Sequence, residues 1–295
     1  IMGVQLHIPE DILNACANSI FLLGATSARK LLRPRKSGAN KTSFGHLLVV
    51  AGSDGMEGAA LLTSEAAARM GCGYVTLCSS SENIFLKAKP DFLKLSMDDF
   101  FKSDLQKYDA VVIGPGMGIS ELSEQMLLHV QKNHEKVLVD ADALTLLAKR
   151  SKLALPADWV LTPHAGELAR LLESPAKELE NDRLASVERA AREINAHILF
   201  KGFRTVLGKK GRSWIIGSGN VALAKAGSGD VLAGFIGSLM AQGHSTKEAG
   251  ILGAYLHGHI ADEWLRLGHS TRTLMASDLA DRIDASLWSL KKART

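Results

Sequence analysis

At 295 residues, 46% of them hydrophobic, the chain can bury a sizeable core in one large α/β domain or two small ones. Its net charge of +4 is spread over interleaved acidic and basic residues. The densest basic run, residues 29–36, lacks interleaved aromatics, which speaks against nucleic acid and for small anionic partners.

The three cysteines, Cys16, Cys72 and Cys78, form no CxxC pair, so neither a disulfide scaffold nor a zinc site is expected, and a reducing cytoplasmic setting is. Residues 9–36 read as a helical lead-in, with Pro9 at a first-turn position. Asn14 and Asn18 interrupt the stretch before the apolar run at 20–23. No signal peptide and no membrane span are expected.

From residue 46 the chain alternates apolar runs with helical stretches. Strands are predicted at 46–51, 74–78, 110–113, 137–139, 159–161 and 198–201, and a hairpin at 205–207 with 214–216. Helices are predicted at 57–70, 231–240 with Gly243 as the stop, 249–267 and 277–290. Continuous apolar strands between helices imply a mostly parallel sheet with helices on both faces, a three-layer αβα fold. No linker, repeat or low-complexity segment divides the chain, so one domain over 1–295 is expected.

Polar or glycine-rich motifs follow the strands, at the sheet edge where ligands bind in open α/β folds. No GxxxxGKS/T is present, and the glycine clusters at 52–58 and 114–118 miss the dinucleotide fingerprint. In Thr162-Pro163-His164-Ala165-Gly166-Glu167, Glu167 is either an N3 capping carboxylate or a magnesium carboxylate acting through water. His164 is either a satisfied polar residue or a ligand contact. Lys201 is either a phosphate-neutralising cation or an edge charge. Asp140 and Asp142, two apart on an extended segment, point to opposite faces and suit no common metal. His257 and His259 are read as structural.

The most specific motif is Ala226-Gly227-Ser228-Gly229-Asp230 entering an apolar helix. Unpaired amides at such a helix start, brought close by glycines, make an anion seat. Asp230 there is suited to accept a proton from a hydroxyl that attacks phosphorus. The plainer reading is an ordinary helix N-cap.

Together these stretches resemble the ribokinase-like superfamily and, within it, the bacterial ADP-dependent NAD(P)H-hydrate dehydratases. The matching segments are FGHLLVVAGS (44–53), IGPGMG (113–118), VDADAL (139–144), TPHAGE (162–167), FKGFRT (200–205) and GNVALAKAGSGDVLAG (219–234), in the family's order. Residues 56–59 fit its ADP-using branch.

The resemblance implies repair of hydrated NADH or NADPH (NADHX, NADPHX), with ADP as co-substrate and magnesium as cofactor. It implies Asp230 as base, with Ala59, Gly116, Gly118, His164 and Asp230 at the hydrate. Lys201, Gly202, Phe203, Arg204, Thr205, Asn220 and Gly229 would meet the adenine nucleotide. Amides of Gly227, Ser228 and Gly229 would form the anion hole, and Glu167 matches the magnesium-associated position. It further implies a homotetramer and a cooperating epimerase on a separate chain. Ala165, Val221 and Asn40 depart from the family pattern, which bears on fine loop geometry and much less on the chemistry. Two other readings stay open: an ATP-dependent kinase of a thiazole or pyrimidine vitamin precursor, and a nucleotide-binding sensor without turnover.

Overall fold

The computed structural model describes residues 19–150 and 155–292. Every apolar run read as a strand forms one, because both of its faces are covered. The strands are β1 (Ile20–Leu23), β2 (His46–Val50), β3 (Tyr74–Cys78), β4 (Leu93–Leu95), β5 (Ala110–Ile113), β6 (Val137–Val139), β7 (Val160–Leu161), β8 (His197–Phe200), β9 (Val206–Lys209) and β10 (Arg212–Ile216). They join in one sheet, ordered β1-β10-β9-β8-β7-β6-β5-β2-β3-β4. Only β9 runs antiparallel to its neighbours, β8 and β10.

The helices are α1 (Ala25–Leu31), α2 (Glu57–Arg69), α3 (Ile84–Lys87), α4 (Met97–Lys102), α5 (Glu121–Asn133), α6 (Ala141–Ala148), α7 (Ala165–Leu171), α8 (Ala176–Asn181), α9 (Arg183–Ile194), α10 (Ser228–Ala241), α11 (Thr246–Arg266), α12 (Ala276–Asp281) and α13 (Ile283–Lys292). Strand side chains alternate between two cores. Leu47, Val49, Val112, Leu138 and Leu199 face a core built with α2, α10 and α11. Leu48, Val50, Val111, Val139 and Phe200 face a second core built with α5, α6 and α9. The expected three-layer arrangement is therefore present. Among the described residues, no helix is long and apolar enough to cross a membrane.

Two expectations change. Residues 20–23 are a strand rather than part of a helical lead-in, because they pair in parallel with Ser213–Ile216, and Phe21 stacks on Trp214 at 5.8 Å between ring centroids. Only α1 of that lead-in is helical among the described residues, and Pro9 lies outside them. The stretch 277–290 is two helices, broken at Arg282, whose guanidinium lies over the Trp264 ring. β4 was not anticipated either.

Register aligns the site. Val50 pairs with Ile113, Ile113 with Val139, and Val139 with Leu161. The strand ends therefore line up, and the segments after them share one edge. The core under that edge is close: α10 meets α2 through Gly234, where an added Cβ would stand 2.3 Å from the Thr63 carbonyl oxygen and 2.7 Å from Ala66 Cβ. Gly234→Ala must push the helices apart. A loss of about 1–3 kcal/mol is expected in chemical denaturation; an unchanged midpoint would show that the contact does not constrain the fold.

Candidate active site

Helix α10 begins without a side-chain cap. Its N-cap is Gly227 at φ 85, a left-handed conformation that glycine adopts without strain. Ser228 N–H donates to the Lys225 carbonyl (3.3 Å), while the amides of Gly227, Gly229 and Asp230 have no partner among the described residues. The ordinary N-cap reading is thus absent, and the open donors differ by one from those expected: Asp230 N–H replaces Ser228 N–H. Unpaired amides and the helix dipole together attract anions.

Beside this turn lies a buried ion pair. The Lys201 ammonium donates to Asp140 Oδ1 at 2.7 Å and stands 3.7 Å from Glu167 Oε2. A Cβ on Gly229 would sit 3.6 Å from Lys201 Nζ and 3.9 Å from Asp140 Oδ2, so the pair borders the glycine turn directly. Burial would lower the Lys201 pKa, but the Asp140 and Glu167 carboxylates reverse this and hold it above the usual lysine value. Asp230 accepts no hydrogen bond among the described residues. Burial, reinforced by the Asp140 charge and only partly opposed by Lys201, pushes its pKa up to about 7.

Glu167 is the capping carboxylate of α7. It accepts the His164 backbone N–H at 2.7 Å, while His164 Nδ1 accepts the amides of Gly166 and Glu167. Burial raises the Glu167 pKa against the pull of Lys201. Burial, with Lys201 and Arg170 nearby, lowers that of His164. Asp140 and Asp142 diverge, though not on an extended segment: the chain turns at Ala141 (φ 49), and Asp142 Oδ2 accepts Gly118 N–H at 2.9 Å.

The two glycine loops lock together. Gly52 N–H donates to the Pro115 carbonyl (2.9 Å) and Ser53 Oγ to that of Gly116 (3.0 Å). Gly116 has φ 58, and a Cβ there would come 2.8 Å from Met56 O and 2.9 Å from Ala59 Cβ, so no larger residue fits. Ala59, Gly116 and Gly118 are thereby brought together at the ends of β2 and β5.

On the other flank, Lys201 N–H donates to the Pro163 carbonyl (2.8 Å). Arg204 Nη1 donates to that of Gly217 and Thr205 Oγ1 to that of Gly202, each at 3.0 Å. Phe203 is 77% exposed. Asn220 lies in the loop that Arg204 joins, its amide held between Asp262 and Ala222. Among the described residues no hydrogen bond links Asn220 to Asp230; α11 bonds to both of their loops, through Asp262 and His257.

Two supporting residues escaped the sequence reading, and a third was read only in part. Arg183 Nη2 donates to the carbonyls of Phe200 (2.7 Å) and Lys201 (3.1 Å), fixing the end of β8. Asp262 holds the Asn220 loop. His257, correctly read as structural, also has a positional task. Its Nε2 lies 3.0 Å from both Ser228 O and Ser228 Oγ. A carbonyl only accepts, so Nε2 carries the proton, and burial keeps the ring neutral by lowering its pKa to about 4.

Among the described residues no group of three metal-ligating side chains could hold an ion by itself. The site does offer hard oxygen donors, in Asp140 Oδ2 and the Glu167 carboxylate. These suit a magnesium ion that arrives on phosphates and keeps its waters.

The sheet order, the two covering layers and the uncapped glycine turn define a ribokinase-like αβα protein. The profile of the NAD(P)H-hydrate dehydratases matches residues 47–284, and the chain belongs to this family. It is 39% identical over 257 residues to the bifunctional NAD(P)H-hydrate repair enzyme Nnr of Escherichia coli K12, covering 84% of this chain and 48% of that one. The chain thus spans about half the length of that relative. It is 35% identical to the ADP-dependent (S)-NAD(P)H-hydrate dehydratase of Bacillus subtilis 168, covering 86% and 92%. A crystal structure of the ADP/ATP-dependent dehydratase from B. subtilis, co-crystallised with ATP/Mg2+, superposes with a TM-score of 0.84 at 32% identity, covering 93% and 100%.

Two stability measurements test the charge arrangement. Lys201→Met strands Asp140, which is 2% exposed, and should cost about 3–5 kcal/mol in denaturant unfolding; a neutral result would mean water already solvates the pair. For Asp230, the folded chain holds its proton up to about pH 7 while the unfolded chain releases it in the usual aspartate range. Folding therefore gains protons between roughly pH 4 and 7, and stability falls as pH rises through that window. Asp230→Asn should raise the melting temperature at pH 8 and leave it nearly unchanged at pH 4. Equal shifts at both would overturn the raised value.

Proposed function

We propose that the protein dehydrates NADHX and NADPHX at the expense of ADP. The observation that carries this is Asp230: a carboxylate without hydrogen bonds, set among open amides, with a pKa near neutrality. A pKa near the working pH suits a general base.

In this reading the diphosphate sits on the Gly227, Gly229 and Asp230 amides, with the adenosine toward 201–205 and 217–220. Lys201 neutralises phosphate charge while Asp140 fixes its ammonium. The hydrate's ring lies against Ala59, Gly116, Gly118 and His164. Magnesium, held by the phosphates with Asp140 and Glu167 through water, supplies charge neutralisation when bound.

The hydrate's hydroxyl oxygen attacks the β-phosphorus as Asp230 takes its proton, and the bond to the AMP oxygen breaks. The ring nitrogen then pushes electrons to expel phosphate from the neighbouring carbon. Loss of a proton from the next carbon restores the double bond, giving NADH or NADPH, AMP and phosphate. Hydroxide leaves poorly and phosphate well, which explains the nucleotide. The names of the E. coli and B. subtilis relatives support this substrate class.

The test follows the reduced-nicotinamide absorbance. Hydrated NADH with ADP and magnesium should regain it, with AMP released. A flat trace, with phosphorylation of a thiazole or pyrimidine alcohol by ATP, would overturn the proposal. Asp230→Asn should lower turnover by about 10²-fold or more and leave ADP affinity within a few-fold. For the unaltered protein, kcat/KM should fall as pH drops through about 7, where Asp230 takes up its proton; a flat profile between pH 5.5 and 8 would remove Asp230 as base.

A further inference from the structure

Helix α11 runs along the loop 217–220. Tyr255, Gly258 and Asp262 fall on one of its faces, at spacings of three and four. The Tyr255 carbonyl accepts Ser218 Oγ at 2.8 Å. At Gly258 an added Cβ would stand 2.5 Å from Ser218 Oγ and 2.8 Å from Gly219 N, so helix backbone and loop backbone touch.

Asp262 completes this contact. Its Oδ2 accepts Gly219 N–H at 2.9 Å and its Oδ1 accepts Asn220 Nδ2 at 2.9 Å. Asn220 Oδ1 in turn accepts Ala222 N–H at 3.0 Å, which fixes the orientation of its amide. Asp262 forms no ion pair among the described residues. A half-buried carboxylate that gives both oxygens to one loop, with no cation to balance it, is costly unless it holds that loop in a required shape.

We infer that Asp262 is a positioning residue for the adenine nucleotide, presetting the loop 217–220 to which Arg204 is also tied. This rests on the nucleotide reading of that flank. Asp262 acts on binding and not on phosphoryl transfer, because the Asp230 turn is secured separately by His257. Asparagine cannot replace it: one acceptor would face two donors. Glutamate keeps both acceptors.

The experiment compares the unaltered protein with Asp262→Asn, Asp262→Glu and Asn220→Ala. In Asp262→Asn, the Gly219 amide should exchange its hydrogen about tenfold faster without ligand. MgADP should bind about tenfold more weakly by calorimetry, while kcat on hydrated NADH at saturating ADP stays within twofold. Asp262→Glu should recover part of the affinity. Asn220→Ala combined with Asp262→Asn should bind MgADP no worse than Asp262→Asn alone, since both act through one loop. Unchanged exchange and affinity in a folded Asp262→Asn protein overturn the assignment, as does a fall in kcat at constant affinity. Should Asp262→Asn not fold, unchanged MgADP affinity in Asn220→Ala overturns it instead. An unaltered protein that binds no MgADP overturns the nucleotide reading itself, and the hydrogen-exchange result tells the two failures apart.

Discussion

One ammonium held among three carboxylates organises the centre of this molecule. Lys201 touches Asp140, approaches Glu167 and is felt by Asp230. A single positive charge cannot satisfy three negative ones out of water, so the acid without a hydrogen-bond partner holds its proton into the neutral range. The division of labour between the aspartates follows from this. Asp140 is buried against the cation and serves as an anchor. Asp230, on the open helix start, is left free to exchange a proton. The same pair borders Gly229, where an added Cβ would come into van der Waals contact with Lys201 and Asp140.

The sheet gathers these groups without effort from the loops. Parallel strands with aligned carboxyl ends deliver Asp140, His164 and Lys201 to one edge, Asp140 and Lys201 immediately after their strands and His164 two residues further on. The loops then need only small adjustments, supplied by Arg183 at one carbonyl pair and by Asp142 at Gly118. Rigid elements with short functional extensions hold geometry better than long flexible loops would.

Legibility of the fold tracked burial. β2, β5 and β6 are covered on both faces and read as unbroken apolar runs. β1 and β4 lie at the two sheet edges, partly open to water; β4 is short and broken by Lys94, and β1, though apolar, carries nothing local that marks β10 as its partner, with Leu22 71% exposed. Within the site, the glycine turn before α10 and the capping of α7 were visible because their partners are sequence neighbours. Glu167 fits its plainer role as a cap, and that role does not remove its carboxylate from the site. Asp140 was singled out, yet its bond to Lys201, 61 residues away, left no local trace. Asp262 and His257 act across 43 and 29 residues from within a helix whose spacing announces only packing.

The edge strand β1 carries a consequence for how the chain assembles. It docks in parallel on β10, with Ile20 beside Ser213. A ribosome releases β1 long before β10 exists, so this seam cannot close until β10 has been made. Contacts between such distant stretches are slow to find. The margin beside β10 therefore cannot be complete until the last strand is made, whereas the edge around β6 to β8 that carries the candidate site uses no residue of β1.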